Sequence, residues 1–414
     1  MQVLDRFLHY VTFDTTADPT SSTVPSTPHQ MVFAHHLVTE LKTLGVPMVT
    51  LSPQGVIYAL IPSNVTQPTP TVGFIAHIDT SFDCSGHNVK PSIIHNYDGR
   101  AIILNNDKMI ISDPDVLPSL QKQLGKTLVV TDGTTLLGAD NKAGVAAIMD
   151  IAAYYMQNPG VPHGNIAIAF TPDEEIGRGT DHFDLAYFQA DFAYTVDGSS
   201  ANEIEYENFY AAQCDIEIKG LSTHPGAAKN VMINSQHLAF LFHQQLPAEL
   251  DPAKTSGYEG FNHLIAMKGS VEQSQLTYII RNHDFALFEQ QKQRFYQIQA
   301  SLNQQYNQPL ISLTIQDTYH NMKDLILQKP LVLNLAKKAI EANGLTPKSS
   351  PIRGGTDGAR LTYMGLPCPN LGTGGYHFHG PNEYLVVEEL QQVVSILKSI
   401  ITFTMAEKKE EFTL

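Results

Sequence analysis

The sequence predicts an α/β protein into which a ferredoxin-like α+β unit has been inserted. Three observations carry that reading. Short apolar runs alternate with helical patterns through the first half of the chain. The segment 211–320 then reads β-α-β-β-α-β, the order of a ferredoxin-like unit. Beyond it the α/β character returns. The length of 414 residues agrees, being too great for one ordinary core. We therefore expect a discontinuous first domain, 1–210 with 321–414, and an inserted domain, 211–320.

The elements follow in order. Val3, Leu4, Phe7, Leu8 and Val11 recur at a helical period. Asp5 and Arg6 stand among them, so the N-terminus lacks the continuous apolar block of a signal peptide. The Pro/Ser/Thr-rich stretch 18–28 reads as a loop. A helix over 29–44 is stopped by Gly45 and Pro47. The apolar runs 56–61, 72–78, 128–131, 166–170 and 192–196 read as buried strands of one α/β sheet. Between them, 142–155 (KAGVAAIMDIAAYY) is apolar all round, which predicts a deeply buried helix. In the inserted segment, strict alternation over 212–219 (AQCDIEIK) marks a half-buried strand. A helix over 235–245, strands over 263–268 and 275–281, a long polar helix over 285–306 and a strand over 310–316 complete that unit. Helices over 331–343 and 388–403 close the chain.

Composition narrows the function. Against 26 basic residues stand 41 acidic ones, a formal charge of −15. That balance disfavours nucleic acid, whose binding requires neutralised phosphates, and it offers a membrane no polybasic anchor. No apolar run reaches membrane-spanning length. The three cysteines, Cys84, Cys214 and Cys368, form no CxxC pair. This argues against a disulfide framework or a thiolate metal site and for a reducing compartment, the cytoplasm. A homo-oligomer is compatible with the residues, which do not fix the oligomeric state.

Polar residues concentrate where apolar strands end. Run 72–78 leads into His77-Ile78-Asp79, run 166–170 into Asp173-Glu174-Glu175, and run 192–196 into Asp197-Gly198. Sites of open α/β sheets form at the carboxyl ends of strands. A lone His-x-Asp is common, a Glu-Glu pair is usually solvated and Asp-Gly is usually a turn. Their coincidence at three strand ends is what marks a candidate metal site. Asp140 adds a carboxylate, and His377 or His379 a second imidazole; the residues alone do not choose between the two histidines. His, carboxylate and water ligands suit zinc, with other divalent metals compatible. Two metals could share Asp140, with His77 and Asp197 on one side and Glu175 and a histidine on the other. Such a pair can activate water and polarise a carbonyl. Glu174 would stay unligated to move protons. Asp79, two residues from His77 on a strand, faces the same way and could orient its imidazole.

Six segments carry a more specific signal: Ile75-Ala76-His77-Ile78-Asp79-Thr80, the run from Thr131 to Asp140, the run from Phe170 to Gly177, Thr195-Val196-Asp197-Gly198, Arg353-Gly354-Gly355-Thr356-Asp357-Gly358, and Gly372 to Gly380. In order and together they resemble the site motifs of the di-zinc exopeptidase family, and within it those of the tripeptide aminopeptidases. The family also holds carboxypeptidases, acylases and dipeptidases. The resemblance implies a di-zinc catalytic domain with an inserted ferredoxin-like lid, and two Zn2+ per chain. It places His77 and Asp197 on one zinc, Glu175 and His379 on the other, and Asp140 between them. It makes Glu174 the general base and Asp79 the residue orienting His77. The family often has Asp where Asn141 stands. From the inserted domain, His224 is implied to reach the substrate and stabilise the oxyanion. Arg281 and Arg353 are candidate anchors for a terminal carboxylate, which guanidinium binds bidentately. The implied substrates are short peptides. A dipeptidase or an amide deacylase on the same scaffold is the rival reading, and a non-catalytic metal-binding protein a more remote one. An unligated Glu174 beside a full ligand set weighs against the last.

Overall fold

A computed structural model describes residues 1–105 and 110–412 of the chain. It divides into two compact units. The first comprises Met1–Tyr206, Lys323–Ser350 and Thr356–Leu414; the second comprises Glu207–Met322 with Pro351–Gly355.

The first unit is built on a seven-stranded sheet. Its strands run in the order Met48–Leu51, Ile57–Ile61, Ile166–Thr171, Val72–His77, Phe192–Gly198, Asn370–Gly372, Ile204–Glu205. The four strands from Ile166–Thr171 to Asn370–Gly372 are mutually parallel, and antiparallel strands flank them on both sides. Every residue of Ile166–Thr171 and Val72–His77 is buried, as expected for strands covered on both faces. One face carries the helix Ala139–Gln157, itself packed against Val3–Tyr10 and Val387–Thr404. On the other face Tyr58, Ile75, Ala167, Ala169 and Ala193 form a core with Phe183, Phe188, Leu361 and Leu366. Because the central strands are parallel, their carboxyl ends lie on one edge of the sheet, and the polar segments that follow them are delivered to that edge.

The run at 128–131 departs from expectation. Leu128–Val130 is a strand, but it belongs to a separate four-stranded sheet with Gly375–Tyr376, Tyr384–Val386 and Ser92–Ile94. Its neighbours there are antiparallel. Apolarity marked it as a strand, whereas the sheet was decided by partners far away in sequence.

The second unit is a four-stranded antiparallel sheet in the order Phe261–Gly269, Gln273–Asn282, Tyr210–Lys219, Ile311–Tyr319. Helices Ser235–Gln244 and Phe285–Tyr306 bury their apolar sides against alternate sheet residues, Cys214, Ile216, Ile218, Leu276, Tyr278 and Ile280. The short segment Pro351–Gly355 belongs to this unit as well, although it follows a stretch of the first.

Candidate metal centre

The helix Ala139–Gln157 begins irregularly. Gly138 precedes it at φ +81°, and Asp140 (φ −85°, ψ 103°) and Asn141 (φ −123°, ψ 34°) are not helical. Asp140 is thereby held out of the helix, towards the carboxyl edge of the sheet. Gly144, one turn on, permits the approach: a Cβ there would lie 2.0 Å from the carbonyl oxygen of Val196. Only glycine lets this helix sit so close to the strand that carries Asp197.

His77, the last residue of its strand and 2% exposed, meets three carboxylates. Its Nε2 lies 2.9 Å from Asp140 Oδ1 and 3.4 Å from Asp197 Oδ1. Its Nδ1 lies 3.3 Å from Asp79 Oδ1 and 3.1 Å from the Asp79 carbonyl oxygen. Asp79 is fully buried, and its carboxylate also accepts the backbone N–H groups of Glu174 and Glu175, each at 3.1 Å. The residue read from sequence as an orienter of His77 thus also holds the turn that carries the two glutamates.

A second cluster shares Asp140. His379 Nε2 lies 3.3 Å from Asp140 Oδ2 and 3.0 Å from Glu175 Oε2. Its Nδ1 lies 3.1 Å from Asp83 Oδ2. His377, by contrast, turns away, its Nε2 2.7 Å from the hydroxyl of Ser119. The geometry therefore brings His379 to the carboxylates and leaves His377 outside.

In each of the groups His77–Asp140–Asp197 and Asp140–Glu175–His379, one ligand atom per residue lies within 4.8 Å of the others. Glu174 belongs to neither group. The groups of this array act strongly on one another. Burial would lower the pKa of His379, but Asp140 and Glu175 outweigh it and raise it to about 11. Burial is likewise overcome at His77, which Asp197, Asp140 and Asp79 raise well above its usual value. Burial alone would raise Asp140, yet the two imidazoles hold it below the usual carboxylate range. Burial and the charge of Asp140 push Glu175 up to about 7, and burial pushes Asp197 up to about 6 against the pull of His77. Glu175 Oε1 is buried with no hydrogen-bond partner among the described residues. A donor set of two imidazoles, a shared carboxylate and an unsatisfied carboxylate oxygen fits two divalent cations of the zinc type. At Glu174, burial raises the pKa well above the usual range; His77 opposes this, and Asp357, Asp197 and Glu175 add to it.

Three neighbours escaped the sequence reading. Asp173, fully buried at φ +58°, accepts from the Ser26 N–H at 2.7 Å and from Gln30 Nε2 at 2.7 Å. It ties the glutamate turn to the loop 18–28 and the helix behind it. Asp83 pairs with His379, as above. Glu383 accepts the N–H groups of Leu137, Gly138 and Asp140, and burial pushes it up to about 7 despite those donors. Each acts across a long sequence separation and leaves no local pattern.

The remaining expected residues lie in the second unit. His224 is exposed, and its Nδ1 accepts the N–H of Gly226 at 3.1 Å. In the neutral ring that places the proton on Nε2, which is left as a donor. Arg281 donates from Nη1 to the carbonyls of Ala212 (3.2 Å) and Ile280 (3.0 Å) and lies 5.1 Å over the ring of Tyr319. Arg353 is more fully engaged. Its Nη1 donates to the carbonyls of Gly257 and Glu259, and its Nη2 to the Thr255 hydroxyl, all at 2.8 Å. The rings of Phe209 and Phe261 lie against its guanidinium.

The comparisons with known proteins bear on the whole chain. The family model described as Peptidase family M20/M25/M40 matches residues 109–402. Peptidase T of Halothermothrix orenii is 51% identical over 400 residues, covering 97% of this chain and 98% of that protein. Peptidase T of Bacillus subtilis is 47% identical over 399 residues, covering 96% and 97%. A tripeptidase structure from Staphylococcus aureus superposes with a TM-score of 0.77 at 21% identity, covering 98% of each chain. The aminopeptidase PepT structure from Bacillus cereus gives 0.75 at 22%, again over 98% of each chain. With the family model covering most of its length, and relatives about half identical from end to end, this chain belongs to peptidase family M20/M25/M40.

Proposed function

We propose that this protein is a metallo-aminopeptidase that releases the N-terminal residue from tripeptides, with two zinc ions held by His77 and Asp197, by Glu175 and His379, and by Asp140 in common. One observation carries the reading: two ligand groups share Asp140, and Glu174, next in sequence to the ligand Glu175, is in neither. The names of the relatives, peptidase T and tripeptidase, supply the substrate class.

Divalent cations held by these residues would supply Lewis acidity, polarising a peptide carbonyl and making a water molecule easy to deprotonate. The chain's own residues do the rest. Glu174 takes the proton of the attacking water and returns it to the leaving amine. Its burial makes the protonated form easy to reach, which suits a group that must gain a proton and give it up. Asp79 keeps Glu174 in place through its backbone N–H and fixes the ring of His77. The Nε2–H of His224 donates to the oxyanion. Arg281, whose donors are less committed, takes the terminal carboxylate of the tripeptide. Arg353 supports the loop 255–259 and serves the substrate through it. The absence of paired cysteines fits a cytoplasmic enzyme. Among the described residues no helix is long and apolar enough to cross a membrane.

A panel of dipeptides, tripeptides, tetrapeptides and N-acyl amino acids tests the assignment. Tripeptides should have the highest kcat/KM, with the N-terminal residue as product. Preferential cleavage of dipeptides or acyl amino acids would replace the assignment with a dipeptidase or a deacylase.

A further inference from the structure

Glu383 lies four residues beyond His379 and is 1% exposed. Its carboxylate faces the loop that presents Asp140. Oε2 accepts the N–H of Leu137 at 2.7 Å and that of Gly138 at 2.9 Å, and Oε1 accepts the N–H of Asp140 at 3.1 Å. These groups stand at the irregular start of a helix, where backbone N–H groups have no intrahelical acceptor. Glu383 supplies that acceptor, and a carboxylate does so more strongly than a neutral group. The other end of the link is also fixed. The N–H of Glu383 donates to the Gly380 carbonyl at 3.1 Å, closing a turn directly after His379. Inside that turn Asn382 Oδ1 accepts from the Ser112 hydroxyl at 3.1 Å. One buried side chain therefore joins the segment carrying His379 to the segment carrying Asp140. Asp83, which pairs with Nδ1 of His379, is weaker support because it is 58% exposed.

We propose that Glu383 is a positioning residue for the metal centre: it fixes the spacing between the shared carboxylate of Asp140 and the ring of His379 before any ion arrives. The inference rests on the two-metal reading above. It predicts that the pocket formed by Asp140, Glu175 and His379 is preorganised in the metal-free protein, and that its affinity depends on a residue that touches no ion.

The test uses the full-length protein, stripped by a chelator, dialysed and titrated calorimetrically with Zn2+. Wild type is compared with Glu383→Gln and with Glu388→Gln. In the first variant the side-chain NH2 group confronts at least one of the three N–H donors. In the second, a carboxylate that accepts the Thr127 N–H at 3.0 Å is altered without touching a ligand segment. Glu383→Gln should bind zinc about ten- to a hundredfold more weakly, the usual loss when a group supporting a metal ligand is changed. The zinc-induced rise in Tm should shrink with it. Glu388→Gln should lower Tm equally with and without zinc and leave the affinity unchanged. Equal zinc affinity in wild type and Glu383→Gln overturns the proposal, as does an equal loss in Glu388→Gln. A wild type that takes up no zinc overturns the two-metal reading and this inference with it. Should Glu383→Gln fail to fold, hydrogen exchange of the stripped wild type decides. Slow exchange at the amides of Leu137, Gly138 and Asp140 supports the proposal, and unprotected rates there refute it.

Discussion

At the residue scale, two neighbouring glutamates are placed differently. Glu175 points an oxygen at His379 and buries the other without a partner among the described residues, whereas Glu174 lies outside both ligand groups. Glu174→Gln keeps the shape but cannot accept a proton. It should cut kcat by roughly 10²–10⁴, the contribution typical of general acid–base catalysis, while metal analysis still finds both ions. Glu175→Gln should lose metal instead; the reverse outcome would exchange the two roles. The arginines divide as well. A charge-assisted bond to substrate is worth about 1.5–3 kcal/mol, so Arg281→Ala should lower kcat/KM for tripeptides about ten- to a hundredfold. A tripeptide amide, lacking the carboxylate, should be indifferent to that change. Equal losses for acid and amide would reduce Arg281 to a support of the fold. A third residue, not itself a proposed ligand, gives a pH signature. Burial, with the charges of Glu203 and Asp197, pushes the pKa of Glu205 up to about 8. A carboxyl raised in the folded state favours folding while protonated and loses that advantage as pH rises through the folded value. Glu205→Gln should match wild type in Tm near pH 4 and exceed it by several degrees near pH 9. An unchanged difference across that range would show that the carboxyl titrates normally. His77, Asp197 and the glutamate pair were legible in the sequence because each ends an apolar run. Glu383 and Asp83 were not, since the contacts that define them join residues 243 to 296 positions apart.

At the scale of elements, the site depends on how closely one helix meets one strand. Gly144→Ala sets two effects against each other. Alanine favours a helix by about 1 kcal/mol over glycine. The new Cβ, however, would lie 2.0 Å from the Val196 carbonyl oxygen, and overpacking of this kind typically costs about 1–3 kcal/mol. Because the obstacle is backbone, the steric term should win. Urea unfolding should show net destabilisation, together with reduced zinc content as Asp140 moves off Asp197. A stabilised variant with both ions would mean that the helix can shift freely. The helix itself was readable from its all-round apolarity, but its irregular first residues were not. Strand 128–130 was readable as a strand and was misassigned to the main sheet. Apolar runs report burial, and pairing is decided by partners elsewhere in the chain, here Tyr384–Val386 and Ser92–Ile94.

At the scale of the whole molecule, the second unit interrupts the first between strand Ile204–Glu205 and helix Lys323–Leu327, and reclaims Pro351–Gly355. The β-α-β-β-α-β order of the insertion could be read from periodicity. The return of 351–355 could not, because it rests on bonds such as that from the Ile352 N–H to the Glu207 carbonyl at 2.8 Å. The first unit holds every proposed metal ligand, while His224 and Arg281 lie in the second. The central claim is that two ions sharing Asp140 drive the cleavage. It is tested most directly by following tripeptide hydrolysis while the chelator-stripped protein is titrated with Zn2+. Hydrolysis should be absent at the start and reach its plateau at close to two ions per chain. Full activity in the stripped protein, or a plateau at a single ion, would contradict the account.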